Sequence, residues 1–123
     1  MTQEEKELLL KDLGARLQYK LHCRVFRLNG DIKENNDILY GIIGDNIITL
    51  KSNEDECLMY YQIKPYLRPM SSMTDEEKND LLQLMGRGTD IERIDFYISH
   101  HFDYRGLMPI GLALEAPEDM YKI

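Results

Sequence analysis

Between Lys20 and Ile63 the chain adopts a two-residue period and breaks it with turns too short for anything but hairpins. KLHCRVFRL (20–28) alternates at its start, with Leu21, Cys23 and Val25 on one face and Lys20, His22 and Arg24 on the other. That is the pattern of a half-buried strand. The doublet Val25-Phe26 breaks the alternation and predicts a bulge or a two-sided end. Asn29-Gly30-Asp31 is a strong hairpin signal, and the polar run through Asn36 predicts a longer loop. DILYGIIG (37–44), NIITLK (46–51) and CLMYYQI (57–63) read as three more strands, separated by Gly44-Asp45-Asn46 and the acidic loop SNEDE. A parallel crossover needs a dozen or more residues. These connections therefore predict an antiparallel meander of four to five strands, either curled into an SH3-like or Sm-like small barrel or left as an open sheet with helices on one face.

Helix signals flank this segment. Thr2 and Glu5 have the spacing of a capping box, and Leu9, Leu10, Leu13 and Leu17 follow at helical intervals. A first helix is expected over residues 3–17, weakened by Gly14 by about 1 kcal/mol relative to alanine. KPYLRPMSSM (64–73) reads as a connector, because Pro65 and Pro69 fix φ and bias the residues before them towards extended conformations. Thr74 and Glu77 make a second capping box, followed by Leu81, Leu82 and Met85, with Gly86 and Gly88 at the end. Thr89 and Glu92 make a third. Ile91, Ile94, Ile98 and Phe102 extend that helix over 90–103, and Gly106 stops it. The tail is apolar from Leu107 to Leu114, so it is expected to pack on the body as an edge strand, or to form an interface with a second copy. The expected class is α+β in a single domain over 1–123: an N-terminal helix, an antiparallel meander, two C-terminal helices and a packed tail.

Hydrophobic residues make up 43% of the 123 residues and charged residues 30%, which fits a folded domain. The formal charge of −7 opposes nonspecific attraction to nucleic acid or anionic lipid. The first residues, MTQEEKELLL, lack the features of a signal peptide. No stretch approaches the roughly 20 apolar residues of a membrane span. A cytoplasmic protein without membrane attachment is expected. Cys23 and Cys57 are far apart with no paired metal spacing, so neither a zinc site nor any other metal or cofactor is expected. Cys23 reads as a small buried apolar residue.

Three constellations are candidates for function. ISHHFDYRGL (98–107) holds two adjacent histidines. On a regular helix His101 faces the apolar side and His100 faces away, so they cannot share a metal as an HExxH pair does. His100 and Asp103, three apart, could touch and orient an imidazole for acid–base work, with Tyr104 nearby; this makes His100, Asp103 and Tyr104 the candidates for a hydrolase or metal enzyme. The alternative is structural, with His101 buried and Tyr104 and Arg105 closing the helix end. The second constellation is the acid-free strand bearing Lys20, His22, Arg24 and Arg27. It could follow a phosphate backbone with Tyr19 or Phe26 stacking bases, extended by Lys64 and Arg68; a solvated strand face that deters edge pairing is the plainer reading. The third is the set of acidic loops, Asp31, Glu34, Asp37 and Glu54–Glu56, which lack EF-hand spacing and are otherwise solvated loops or a mimic of DNA phosphates. No phosphate-binding glycine loop, dinucleotide fingerprint or nucleophile elbow is present.

MTQEEKELLLKDLGARL, IKPYLRPMSSMTDEE and FDYRGL…GLALEAPEDMY together resemble a group of small proteins of gut Bacteroidales, often encoded near prophage or mobile-element genes. The resemblance covers nearly the whole chain. It implies a small cytoplasmic accessory protein linked to phage biology and transfers no activity and no site residue. The leading expectation is a non-enzymatic domain that binds a protein partner or a second copy of itself; the runners-up are nucleic-acid binding through Lys20, Arg24 and Arg27, and an enzyme centred on His100 and Asp103.

Overall fold

A computed structural model describes residues 1–52 and 58–121. It is an α+β fold with a mostly antiparallel sheet. Helix α1 (Gln3–Arg16) is followed by a 3-10 turn, then β1 (His22–Phe26), β2 (Ile32–Ile43), β3 (Asn46–Thr49) and β4 (Leu58–Met59). A 3-10 turn (Tyr60–Gln62) leads into β5 (Ile63–Leu67), and α2 (Asp75–Arg87), α3 (Asp90–Ser99) and β6 (Leu114–Glu115) complete the chain. The strand order is β4-β3-β2-β1-β5-β6, antiparallel except for the β5–β6 pair.

Local chemistry sets most boundaries. The Thr2 hydroxyl accepts from Glu5 N at 3.1 Å, and the Glu5 carboxylate accepts from Thr2 N at 2.9 Å. Thr74 and Glu77 repeat this box at α2, whereas at α3 the Thr89 hydroxyl accepts from Glu92 N without a return bond. Gly44, at φ +61°, sits in the two-residue turn between Ile43 and Asn46 and supplies the left-handed conformation that turn needs. The register shifts on both sides of Val25, as its doublet with Phe26 predicts.

Three boundaries differ from expectation. β2 begins at Ile32, not Asp37, so the polar run 32–36 pairs with β1. The expected fourth strand is shortened to Leu58–Met59 and gives way to the 3-10 turn. The expected connector 64–73 instead supplies β5, which lies against the free side of β1 with Cys23 opposite Pro65.

β4 and β5 stand four ladder positions apart, roughly 19 Å in a flat sheet, yet only Tyr60–Gln62 joins them. From Met59 to Ile63 the chain has four Cα–Cα steps, which reach at most about 14 Å. The sheet must therefore curl. Gln62 fastens the turn: its side chain accepts from Met59 N at 2.8 Å and donates to Phe26 O at 3.0 Å, bridging β4 to β1.

Inside the curl Leu9 and Leu13 of α1 pack against Leu21, Cys23 and Val25 of β1, Leu39 of β2, Ile47 of β3, and Ile63 and Leu67 of β5. The apolar tail closes this core with Leu107, Leu112 and Ala113, then pairs Leu114 with Tyr66 as the expected edge strand. Tyr121 fastens it, accepting from His22 N at 3.0 Å and donating to Tyr66 O at 2.7 Å. Among the described residues no helix is long and apolar enough to cross a membrane.

Candidate functional site

α3 ends at Ser99, four residues short of its expected end. His100 caps it. The His100 Nδ1 lies 2.8 Å from Phe96 O, and because a carbonyl only accepts, Nδ1 carries the proton. The ring stacks on Phe96 with centroids 4.2 Å apart. His101 then takes the left-handed conformation, φ +61°, which histidine tolerates better than most residues. This turn, rather than a continuing helix, carries its ring inward, where it is buried and stacks on Tyr121 at 4.0 Å. Burial, and secondly the Arg16 charge, lower its pKa to about 4.

Asp103 does not meet His100. Its two carboxylate oxygens accept from Leu107 N at 2.7 Å and Met108 N at 3.0 Å, so it caps the turn into the tail. Among the described residues the buried Tyr104 hydroxyl has no hydrogen-bond partner, and burial raises its pKa. The pairing expected of His100 with Asp103 is thus absent, because each side chain is held by backbone groups of its own turn.

Beside this turn lies a charged cluster that joins α1 to the chain after α3. Asp12 and Arg16, both fully buried, are joined at 2.9 and 3.2 Å. Arg16 also donates to Phe102 O, and Arg105 reaches Asp12 from the surface side at 3.1 Å. Among the described residues Arg16 Nη1 has no hydrogen-bond partner. Two cations thus share one carboxylate and lock α1 to residues 102–105. The signal was present: Leu9, Asp12, Leu13 and Arg16 are spaced 3, 1 and 3, one continuous helical stripe.

The basic strand is dispersed rather than gathered. Lys20 and Arg27 are exposed, and Lys20 holds a left-handed φ of 59°. Arg24 donates to the Tyr66 hydroxyl at 3.1 Å and lies over its ring. His22 bonds Asn36 at 2.8 Å. Lys64 sits over Phe26, 5.7 Å from the ring centroid. Arg68 is committed elsewhere: it forms a two-pronged bridge to Glu77 at 2.8 and 2.7 Å and stacks on Phe102 at 4.3 Å. That bridge, followed by the capping bonds of Thr74, pulls the Glu77 carboxyl down to about 2.

Of the acidic candidates, Asp37 is buried and accepts from Thr49 Oγ1 at 2.6 Å, Ile38 N at 2.7 Å and Lys51 N at 3.1 Å. Glu34 reaches Lys51 at 3.4 Å, and Asp31 closes its own turn with Asn29. Glu54, Asp55, Glu56 and Cys57 lie outside the described residues. Among the described residues no group of three or more His, Cys, Asp or Glu is arranged to hold a metal. Burial pushes the Cys23 thiol up to about 12, which leaves it protonated at neutral pH and a poor nucleophile.

Large apolar side chains are exposed on the strands and loops, such as Leu28, Tyr40 and Ile43, and on the helical pair. The apolar stripes expected on α2 and α3 are only partly covered: Ile98 and Phe102 are buried and Leu81 half-buried, whereas Leu82 is 63% exposed, Met85 58%, Ile91 76% and Ile94 41%. α3 is attached through buried Phe96 and Ile98, and α2 through the Arg68–Glu77 bridge. Gly88 joins the helices so closely that an added Cβ would lie 2.7 Å from Leu84 O. A shallow depression lined by Pro69, Met70, Asp103, Gly106, Met108 and Pro109 lies beside the tail.

Fold and surface together define an α+β protein: a curled, mostly antiparallel sheet with a helical pair that displays apolar side chains. Comparison with family models, curated proteins and solved structures finds no match for this chain.

Proposed function

We propose that this chain is a non-enzymatic accessory domain of the cytoplasm that docks a protein partner on α2 and α3. One observation carries the reading: four large apolar side chains, at i and i+3 on each of two consecutive helices, are left in water. Such exposure is costly to solubility and marks interaction surfaces. The groups that could have argued for chemistry are otherwise engaged. His100 and Asp103 serve their own turns, and Arg24 and Arg68 are bonded within the fold. The resemblance to proteins encoded near mobile elements fits a small accessory role.

The test is capture from host cytoplasm by the full chain and by a Leu82→Ser, Ile91→Ser variant. A protein recovered by the first and lost by the second, with melting temperatures equal, supports the reading. Retention of the same protein by the variant places docking elsewhere and contradicts it.

A further inference from the structure

We infer that the partner presents a basic amphipathic helix to the α2–α3 face; this rests on the docking role proposed above and names its chemistry. The period of the exposed face gives the shape. Leu82 and Met85 recur at three residues, as do Ile91 and Ile94, so the apolar stripes run along helices and bracket the Gly88 link. Stripes of this period match a partner helix with apolar anchors at i, i+3 and i+4, the helix-in-groove mode.

The charge around the stripes gives the sign. Residues 74–99 carry seven carboxylates and three cations, a net of −4 out of the chain's −7. Glu77 is neutralised by Arg68 and Asp90 by Arg93. Asp75 and Asp95 fall within about 70° of the stripes at about 100° per residue; both are exposed and make no ion pair among the described residues, while Glu76, Asp80 and Glu92 lie farther round their helices and Lys78, four residues before Leu82, is a cation on the stripe itself. Apolar stripes on a segment of net negative charge, with Asp75 and Asp95 beside them, attract Lys and Arg flanking a partner's apolar face. The same charge disfavours the other occupants. A second copy would bring net negative charge against net negative charge, and an anionic membrane surface would repel it.

The probes are two dye-labelled helical peptides of about 14 residues, four turns, with one leucine pattern and either lysine or glutamate elsewhere. Binding to the full chain is read by fluorescence anisotropy at about 0.05 M and about 0.5 M salt, on either side of the roughly 10 Å screening length of 0.1 M. The lysine peptide is expected to bind and the glutamate peptide not to. Leu82→Ser with Ile91→Ser should weaken binding at both salts by tenfold or more, about 1.4 kcal/mol. Asp75→Asn with Asp95→Asn should weaken it only at low salt.

Equal binding of both peptides, sensitive to the serine variant, overturns the basic partner and leaves the docking face standing. Binding of the lysine peptide that ignores both variants overturns both, since the attraction is then generic. A dimer in sedimentation that the serine variant dissociates makes a second copy the occupant and overturns the basic partner alone. Binding of phosphatidylserine vesicles in preference to the lysine peptide overturns the protein partner altogether, and so does a monomer that binds no probe.

Discussion

Changing Asp12 to asparagine is the sharpest perturbation of this fold. The substitution keeps the volume and one acceptor oxygen but removes the carboxylate that Arg16 and Arg105 share. Arg16 is 0% exposed and cannot turn to water, so its charge stays in the interior with only Phe102 O as a firm acceptor. Breaking a buried pair by removing one partner costs about 3–5 kcal/mol. At about 2.1 cal/mol/K per residue, 123 residues have an unfolding entropy near 0.26 kcal/mol/K. The melting temperature should then fall by about 12–19 °C, read by circular dichroism and checked by urea titration. Asp12→Leu combined with Arg16→Met removes both buried charges and leaves Arg105, which is near the surface, free to face water. This double variant should recover most of the loss. A fall under about 4 °C for Asp12→Asn, equivalent to about 1 kcal/mol, refutes the reasoning. So does a double variant as damaged as the single one, because the cost would then not be the stranded charge.

Asp103→Ala leaves Leu107 N and Met108 N without their acceptor and should cost about 1–3 kcal/mol in denaturant titration. Acid should destabilise the fold in two overlapping windows. His101 is held neutral down to about 4 when folded but takes its proton near 6.5 when unfolded, so stability falls as pH drops from 6.5 towards 4, by up to about 1.4 kcal/mol per pH unit. Glu77, depressed from 4.5 to about 2, contributes stability above 4.5 that is lost as pH falls from there towards 2. His101→Asn, which keeps a residue tolerant of positive φ, should flatten the first window and leave the second in pH-dependent melts. Two glycines should respond with opposite sign: Gly14→Ala, exposed in α1 with nothing within 4 Å of the new Cβ, should stabilise by about 0.5–1 kcal/mol. Gly88→Ala, whose Cβ meets the Leu84 carbonyl at 2.7 Å, should destabilise by about 1–3 kcal/mol.

What the sequence reveals here is what is local. The boxes Thr2–Glu5 and Thr74–Glu77, the Gly44 turn and the bulge at Val25 each depend on a few neighbouring residues, and each appears where the pattern puts it. β5 was hidden because two prolines argue against a strand. The structure accommodates Pro65 where the ladder to β6 has not begun, since that ladder starts at Tyr66. The polar start of β2 carries no alternation, because its residues are paired by β1 rather than selected by burial. α3 looked longer than it is because Phe102 falls on the helical period, although it reaches the core through a bridge to Arg68 after the left-handed turn at His101. The candidate site shows the same limit. Amphipathic stripes on α2 and α3 are legible, but a stripe does not say whether anything covers it, and here Leu82, Met85, Ile91 and Ile94 remain exposed. The Arg68–Glu77 and Asp12–Arg105 contacts join residues 9 and 93 apart, beyond any local pattern.

The docking face is tested most directly by hydrogen–deuterium exchange of the full chain, alone and saturated with the lysine–leucine peptide. Slower exchange is expected within residues 74–99, with β1, β2 and the tail unchanged. Protection on the strands instead, or none at a peptide concentration where anisotropy reports saturation, would contradict a docking surface on α2 and α3.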